Sequence, residues 1–100
     1  MMVLKLNISW PLRNVGELTV LNHCEALFQE RPIPALELDC SEVPYPSVRF
    51  LTLLMDIASM APVEPVACSL LNAQASIVEA LWLTGLDRWF SAEKSVEEWQ

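Results

Sequence analysis

The 100-residue chain has only two glycines, one histidine and six lysine or arginine residues. Two isolated glycines cannot form the glycine-rich loop that cradles the phosphates of a nucleotide, so we do not expect nucleotide binding. The chain has 13 acidic residues against these six basic ones, which gives a net charge of −7. The basic residues do not cluster in the sequence. Because nucleic acids and anionic membrane surfaces are bound through basic patches, the composition argues against both. The acidic balance instead favours solubility or the attraction of a basic protein partner.

The three cysteines, Cys24, Cys40 and Cys68, form no Cys-x-x-Cys pair and no cluster with histidine. The single histidine, His23, adjoins Cys24, but neighbouring residues of a helix point in different directions, so no metal site is expected. An odd number of thiols without a pairing pattern suits a reducing cytosol, which predicts a cytoplasmic protein. The first ten residues lack the apolar core of a signal peptide, and no apolar run would span a bilayer, so we expect no membrane insertion.

The sequence shows no pattern of catalytic residues. The histidine has no serine or aspartate partner in a recognisable motif, and none of the cysteines lies in a nucleophile motif. Asp39 and Ser41 follow a predicted strand, at the end of a parallel sheet where ligands usually bind, but no glycine-rich loop accompanies them. We therefore predict a protein that is not an enzyme and that holds no cofactor.

Hydrophobic residues make up 53% of the chain, which is enough for the core of one domain over residues 1–100. Apolar residues alternate with polar ones in some segments and recur at helical spacing in others. The predicted strands cover residues 3–8, 18–21, 36–40 and 66–70, with a short edge strand at 89–90. The predicted helices cover residues 22–30, 46–61 and 72–84. This alternation predicts an α/β fold with a mostly parallel, four- to five-stranded sheet and helices packed against it.

Several residues predict where the helices begin, end and face the core. Asn22 with Glu25, and Asn72, look like helix N-caps, and Gly85 lies where a helix-ending glycine belongs. Pro32, Pro34 and Pro62 would stop helices, and Ser95 with Glu98 would open a terminal helical turn.

In the second helix the apolar stripe is predicted to be Leu51, Leu54, Met55 and Ala58. In the third helix it is predicted to be Ile77, Ala80, Leu81 and Thr84. The strand at 66–70 is predicted to be buried on both faces.

Three segments resemble the STAS domain, the sulfate-transporter and anti-sigma-factor-antagonist domain. Residues 16–22, GELTVLN, are similar to the segment that joins a strand to the first helix of that family. Residues 38–43, LDCSEV, resemble its L-D-L-S-G-V strand end, and residues 83–90, LTGLDRWF, are close to L-T-G-L-D-R-L-F. The order and spacing of the segments extend the resemblance over residues 4–99.

The chain departs from the family at the turn that carries a phosphorylated serine or threonine. In this sequence Ser47 falls one residue early, and Val48 and Arg49 occupy the hydroxyl positions, which indicates a degenerate phosphoacceptor turn. Ser47 is either a displaced phosphoacceptor or a helix N-cap. Three roles are open for Arg49. It contacts a carboxylate of a partner, it binds Glu42 or Asp39 within the loop, or it is simply solvated.

The resemblance implies a non-enzymatic module that binds a regulatory partner of the anti-sigma kinase-like class. An alternative within the family is the STAS subunit of a bacterial phospholipid ABC transporter, which binds the transporter ATPase. The expected partner-binding residues are Tyr45, Pro46, Ser47, Arg49 and Thr52. Val78 and Trp82 lie on a second face of the third helix, where Trp82 is either core or an interface anchor, and a homodimer through these two residues is a further candidate.

Overall fold

The alternating segments fold into four strands and three α-helices in the part of the chain that the structure describes, which comprises residues 3–30, 35–60 and 68–94. The structure is a computed structural model. In chain order the elements are β1 (Val3–Asn7), α1 (Asn14–Phe28), β2 (Ala35–Asp39), α2 (Val48–Met60), β3 (Cys68–Ala73), α3 (Ala75–Thr84), a 3₁₀ turn (Leu86–Arg88) and β4 (Ser91–Lys94). The predicted α/β fold is confirmed.

All four strands are parallel, and their order in the sheet is their order in the chain, β1-β2-β3-β4. Crossovers between parallel strands are almost always right-handed, and successive crossovers in one direction place every connecting helix on the same face. The strand order never reverses among the described strands. The sheet therefore lacks the crevice at which doubly wound α/β proteins bind their ligands.

Burial alternates along the strands, as expected when helices cover one face only. Leu36, Leu38 and Leu70 are fully buried beneath the helices. The other face carries a row of polar residues in register, in which Lys5 pairs with Glu37, Glu37 with Ser69 and Ser69 with Ser91. The prediction that the strand at residues 66–70 is buried on both faces was wrong. This strand is β3, and its Ser69 and Leu71 lie on the open face and remain partly exposed.

The predicted strand at residues 18–21 was wrong, because this segment lies inside α1. The helix buries Val20, Cys24, Leu27 and Phe28, whose spacing follows the helical period. Burial of that stripe outweighs the preference of Thr19 and Val20 for strands. The predicted N-cap at Asn22 fails for the same reason, since α1 begins eight residues earlier, after Arg13, whose side chain makes no capping hydrogen bond.

The start of α2 confirms that Ser47 is a helix N-cap. The Phe50 N–H donates to Ser47 Oγ at 3.1 Å, and the Leu51 N–H donates to the Ser47 carbonyl oxygen at 3.0 Å. The second helix was predicted to begin at Pro46, but Pro46 precedes the cap and lies outside the first turn of α2. The predicted apolar stripe is displaced by part of a turn, because Met55 is 47% exposed. The buried residues of α2 are Phe50, Leu53, Leu54 and Ile57.

In α3 the predicted stripe is confirmed in part, because Ile77 and Leu81 are buried and Ala80 is partly buried, whereas Thr84 is exposed. Gly85 ends the helix at a left-handed φ of 79°. The predicted cap at Asn72 was wrong, because Asn72 belongs to β3 and α3 begins after Gln74. The edge strand begins two residues later than predicted, at Ser91. The predicted roles of Pro32, Pro34, Pro62, Ser95 and Glu98 fall outside the described residues.

Candidate protein-interaction surface

At the end of β2, where the loop to α2 begins, the Asp39 carboxylate accepts hydrogen bonds from within the protein. Asp39 Oδ1 accepts hydrogen bonds from the Ser41 N–H at 3.0 Å and from Asn72 Nδ2 at 3.2 Å. The Ser41 N–H and then the Asn72 amide hold the pKa of Asp39 below its usual value, because both favour the charged form. Asn72 reaches Asp39 from a left-handed backbone conformation, φ 57°, that asparagine tolerates well. Asp39 is thus fixed as part of the loop scaffold.

The first strand supports the same loop from its other side. Asn7, at the end of β1, donates from Nδ2 to Glu42 Oε2 at 2.8 Å. The Val43 N–H donates to the Cys40 carbonyl oxygen at 3.0 Å, which closes a turn over the buried Val43 side chain. These contacts join the ends of three neighbouring strands. They do not bring a nucleophile, a base and an acid together.

The aromatic ring of Tyr45 is held against Trp10, which follows β1. The two ring centroids are 5.3 Å apart and the planes meet at 75°, an edge-to-face contact. The Ser47 N–H donates to the Tyr45 carbonyl oxygen at 2.9 Å. Tyr45 nevertheless remains 55% exposed. The loop therefore presents a large side chain to solvent in a fixed orientation.

Arg49 binds a carboxylate that the sequence analysis did not single out. Its Nε donates to Glu17 Oε2 at 2.8 Å and its Nη2 to Glu17 Oε1 at 2.9 Å, so the pair is bidentate and joins α1 to α2. The hydrogen bond to Glu17 raises the pKa of Arg49. The expectations that Arg49 binds Glu42 or Asp39, or is merely solvated, were wrong. Glu17 also offsets the unfavourable position of a cation in the first turn of a helix.

Two further exposed residues lie near Arg49 on α2, namely Val48 of the predicted phosphoacceptor turn and Thr52 of the predicted partner-binding set. Val48 is 81% exposed, and Thr52 is also exposed, with its hydroxyl donating to the Val48 carbonyl oxygen at 2.8 Å. The structure thus brings all five predicted partner-binding residues to one surface. We define the docking surface as the loop and first turns of α2 that contain them: Tyr45, Pro46, Ser47, Val48, Arg49 and Thr52.

A shallow groove of about 360 Å³ continues from the docking surface, between α1 and α2. Its apolar part is formed by Leu18 and Leu21 of α1, with Leu53 of α2 beneath them. Leu18 is 58% exposed although it lies beside a helix-helix contact. The sequence analysis missed this groove because it assigned residues 18–21 to a strand. We call it the α1–α2 groove.

Val78 and Trp82 do not form a common exposed surface. Val78 packs partly buried against the core, whereas Trp82 is 71% exposed. The neighbouring Leu83, also 71% exposed, was missed because the resemblance includes it in a family motif. Trp82 is therefore not a core residue, and its role as an interface anchor stays a prediction.

The three cysteines are free and buried. Burial raises the pKa of Cys24 and Cys68 to about 11 and that of Cys40 to about 12, with the Cys68 thiol adding to the effect at Cys24 and Asp39 adding at Cys40. Thiols with such values are protonated near neutral pH and are poor nucleophiles. Within the described residues, no three histidine, cysteine, aspartate or glutamate side chains are grouped as metal ligands.

No protein-family model, curated protein or solved structure matches the chain significantly. The STAS resemblance therefore stays a hypothesis that rests on the residues of this sequence. None of the helices in the described part of the chain has the length and apolarity needed to cross a membrane.

Proposed function

We propose that the protein is a non-enzymatic, cytoplasmic interaction module that uses the docking surface to bind a regulatory protein of the anti-sigma kinase-like class. The partner class comes from the STAS resemblance. The proposal rests chiefly on one observation, which is that Tyr45 and Val48 expose 55% and 81% of their surface from a loop and the helix start that follows it, which have several internal contacts. Exposed apolar side chains on a rigid surface are typical anchors of protein interfaces.

Rigidity supports the proposal because ordering a flexible loop would weaken binding. The Asp39 hydrogen bonds, the Trp10–Tyr45 contact and the Ser47 cap each restrict the loop before any partner arrives. The docking surface is therefore preorganised.

The contacts of Ser47 and Arg49 favour binding without a phosphorylation switch. The Ser47 hydroxyl already accepts the Phe50 N–H, and the Arg49 guanidinium is bonded to Glu17. Phosphorylation of Ser47 would have to modify a hydroxyl that is already engaged in the helix cap. We propose that the docking surface is constitutively competent to bind.

Affinity capture from the native host tests the proposal, with partners identified by mass spectrometry. The bait variants are Val48→Asp and the control Leu83→Asp, which places the same charge at another exposed apolar helix position, in the last turn of α3, where an acidic residue is less favourable. An acidic residue in the first turn is favourable for a helix, so Val48→Asp is expected to fold.

Loss of a kinase-like or sigma-regulating partner with Val48→Asp, but not with Leu83→Asp, is the expected result. A transporter ATPase captured with the same pattern would instead assign the protein to the lipid-transport branch of the resemblance. A partner retained by both variants would rule out the docking surface.

A further inference from the structure

The α1–α2 groove combines an apolar floor with an acidic rim. Leu18 and Leu21 supply the floor, and Glu17 and Asp56 are the ionisable residues that line it. Glu17 is paired with Arg49, so Asp56 carries the charge that faces a partner. A groove between two packed helices has the shape into which a third, amphipathic helix can lay its apolar face. The exposed Leu18 is the side chain that such a helix would cover.

The charges of the two helices indicate what kind of helix fits. The only lysine or arginine in α1 or α2 is Arg49, and it is bonded to Glu17. Asp56, in the groove, and Glu25, one turn of α1 beyond Leu21, are both exposed acidic residues. A helix with lysine or arginine beside its apolar stripe would meet charges of the opposite sign here.

We infer that the α1–α2 groove binds a basic amphipathic helix of a partner protein. The inference rests on the proposed interaction function and adds a second contact to the docking surface. Leu18 and Leu21 receive the apolar residues of that helix, and Asp56 pairs with a basic residue beside them. The net charge of −7 steers such a partner toward the chain.

A synthetic peptide tests the groove without knowledge of the natural partner. The probe is a helical peptide of about 18 residues, with leucines at i, i+3, i+4 and i+7 spacing and lysines at the remaining positions. Two control peptides are used, one with the same composition scrambled so that the leucines share no face, and one with glutamate in place of lysine. Binding to the full chain is measured by fluorescence anisotropy.

Matched variants separate the groove from general charge attraction. Asp56→Lys changes the groove, whereas Glu79→Lys makes the same change on the exposed surface of α3. Leu18→Lys is matched in the same way by Leu83→Lys. The groove variants are expected to weaken binding about tenfold, and the α3 variants by less than about twofold.

Equal losses in the groove and α3 variants would overturn the inference, as would equal binding of the scrambled or acidic peptide, or no binding of the basic one. The outcomes for the two proposals differ. Capture of a host partner that requires Val48 but tolerates both groove variants would overturn the groove alone. Peptide binding to the groove, with host capture unaffected by Val48→Asp, would overturn the docking surface alone.

Discussion

At the residue scale, the two glycines have opposite conformational requirements. Gly85 ends α3 at φ 79°, whereas Gly16 lies within the first turns of α1, and neither has an atom within 4 Å of an added Cβ. Gly85→Ala should therefore lower the free energy of unfolding by about 1 kcal/mol through backbone strain alone. Gly16→Ala should raise it by about 0.5–1 kcal/mol, because alanine has the higher helix propensity.

Urea unfolding midpoints of the two alanine variants, measured with the wild type, check both signs. The two variants serve as each other's control, because each adds one methyl group in open space. A gain of stability in Gly85→Ala would show that the left-handed end of α3 is not formed.

The Asp39 carboxyl provides a test of the loop scaffold. Asn72→Gly removes the amide donor and keeps a residue that tolerates a left-handed backbone. The pKa of Asp39 should then rise toward its usual value, although not fully, because the Ser41 N–H remains. A lowered pKa contributes stability above its unfolded value of about 3.9, and that contribution is lost as the pH falls through the folded value.

The variant should accordingly lose less stability on acidification than the wild type. The carboxyl pKa is measured by NMR titration of the Asp39 side chain. An unchanged pKa in Asn72→Gly would mean that Asn72 does not contact Asp39 in solution.

At the scale of the element, Ser47 is the cap on which the start of α2 depends. Ser47→Ala should cost about 1 kcal/mol, because the Phe50 N–H loses its acceptor. Ser47→Asp should stay within a few tenths of a kcal/mol of the wild type, because aspartate also caps helices and suits the helix dipole. The measurement is the free energy of unfolding of the two variants. Equal losses would contradict the cap.

Two alanine substitutions can test which face of α2 is turned toward the core. Ile57 is fully buried and Met55 is 47% exposed, although the sequence pattern assigned Met55 to the core. Ile57→Ala should cost about 2–5 kcal/mol, and Met55→Ala less than about 1 kcal/mol. The larger loss is a substantial part of the 5–15 kcal/mol typical of such a domain. Thermal or urea unfolding of both variants would show the opposite ranking if the predicted stripe were the true one.

The sequence predicted most of the elements but not all of their boundaries. Two strands were found because their apolar residues alternate, and a third because of its nearly continuous apolar run. The end of α3 was found because Gly85 fits one backbone conformation. The GELTV segment was wrongly predicted as a strand because threonine and valine favour strands locally. It is helical because the helix buries Val20 and Cys24 in the tertiary structure. The α2 stripe misled because several apolar residues allow two helical phases, and packing against the sheet selects one.

At the scale of the whole molecule, the surface was predictable in part. The five residues predicted to bind a partner are close in sequence, so their proximity follows from the chain itself. The Arg49–Glu17 pair joins residues 32 positions apart, and no local pattern encodes it. The α1–α2 groove likewise depends on how two helices pack, which required the structure.

The three buried thiols link global stability to alkaline pH. Each has a folded-state pKa above its ordinary value of 9.0, so folding favours the protonated thiols. Their contribution is complete below about pH 9 and is lost as the pH rises toward the folded values. The wild type should therefore lose stability between about pH 8 and about pH 10.5. A Cys24→Ala, Cys68→Ala double variant should lose less over that interval, whatever its starting stability.

Urea midpoints at the two pH values provide the comparison. Equal alkaline losses in the wild type and the double variant would mean that other groups, and not these thiols, govern the transition.

The order of the strands has a consequence for how the chain acquires its fold. Each strand of the described sheet pairs with the strand that comes next in the chain, so no pairing waits for a distant segment. A sheet of this kind can grow in one direction, as units of repeat proteins do, with each strand and helix docking on the unit before it. During synthesis at a ribosome, β1, α1 and β2 would associate while α3 and β4 are still unmade. The amino-terminal half of the molecule would then provide the template on which the carboxyl-terminal half condenses.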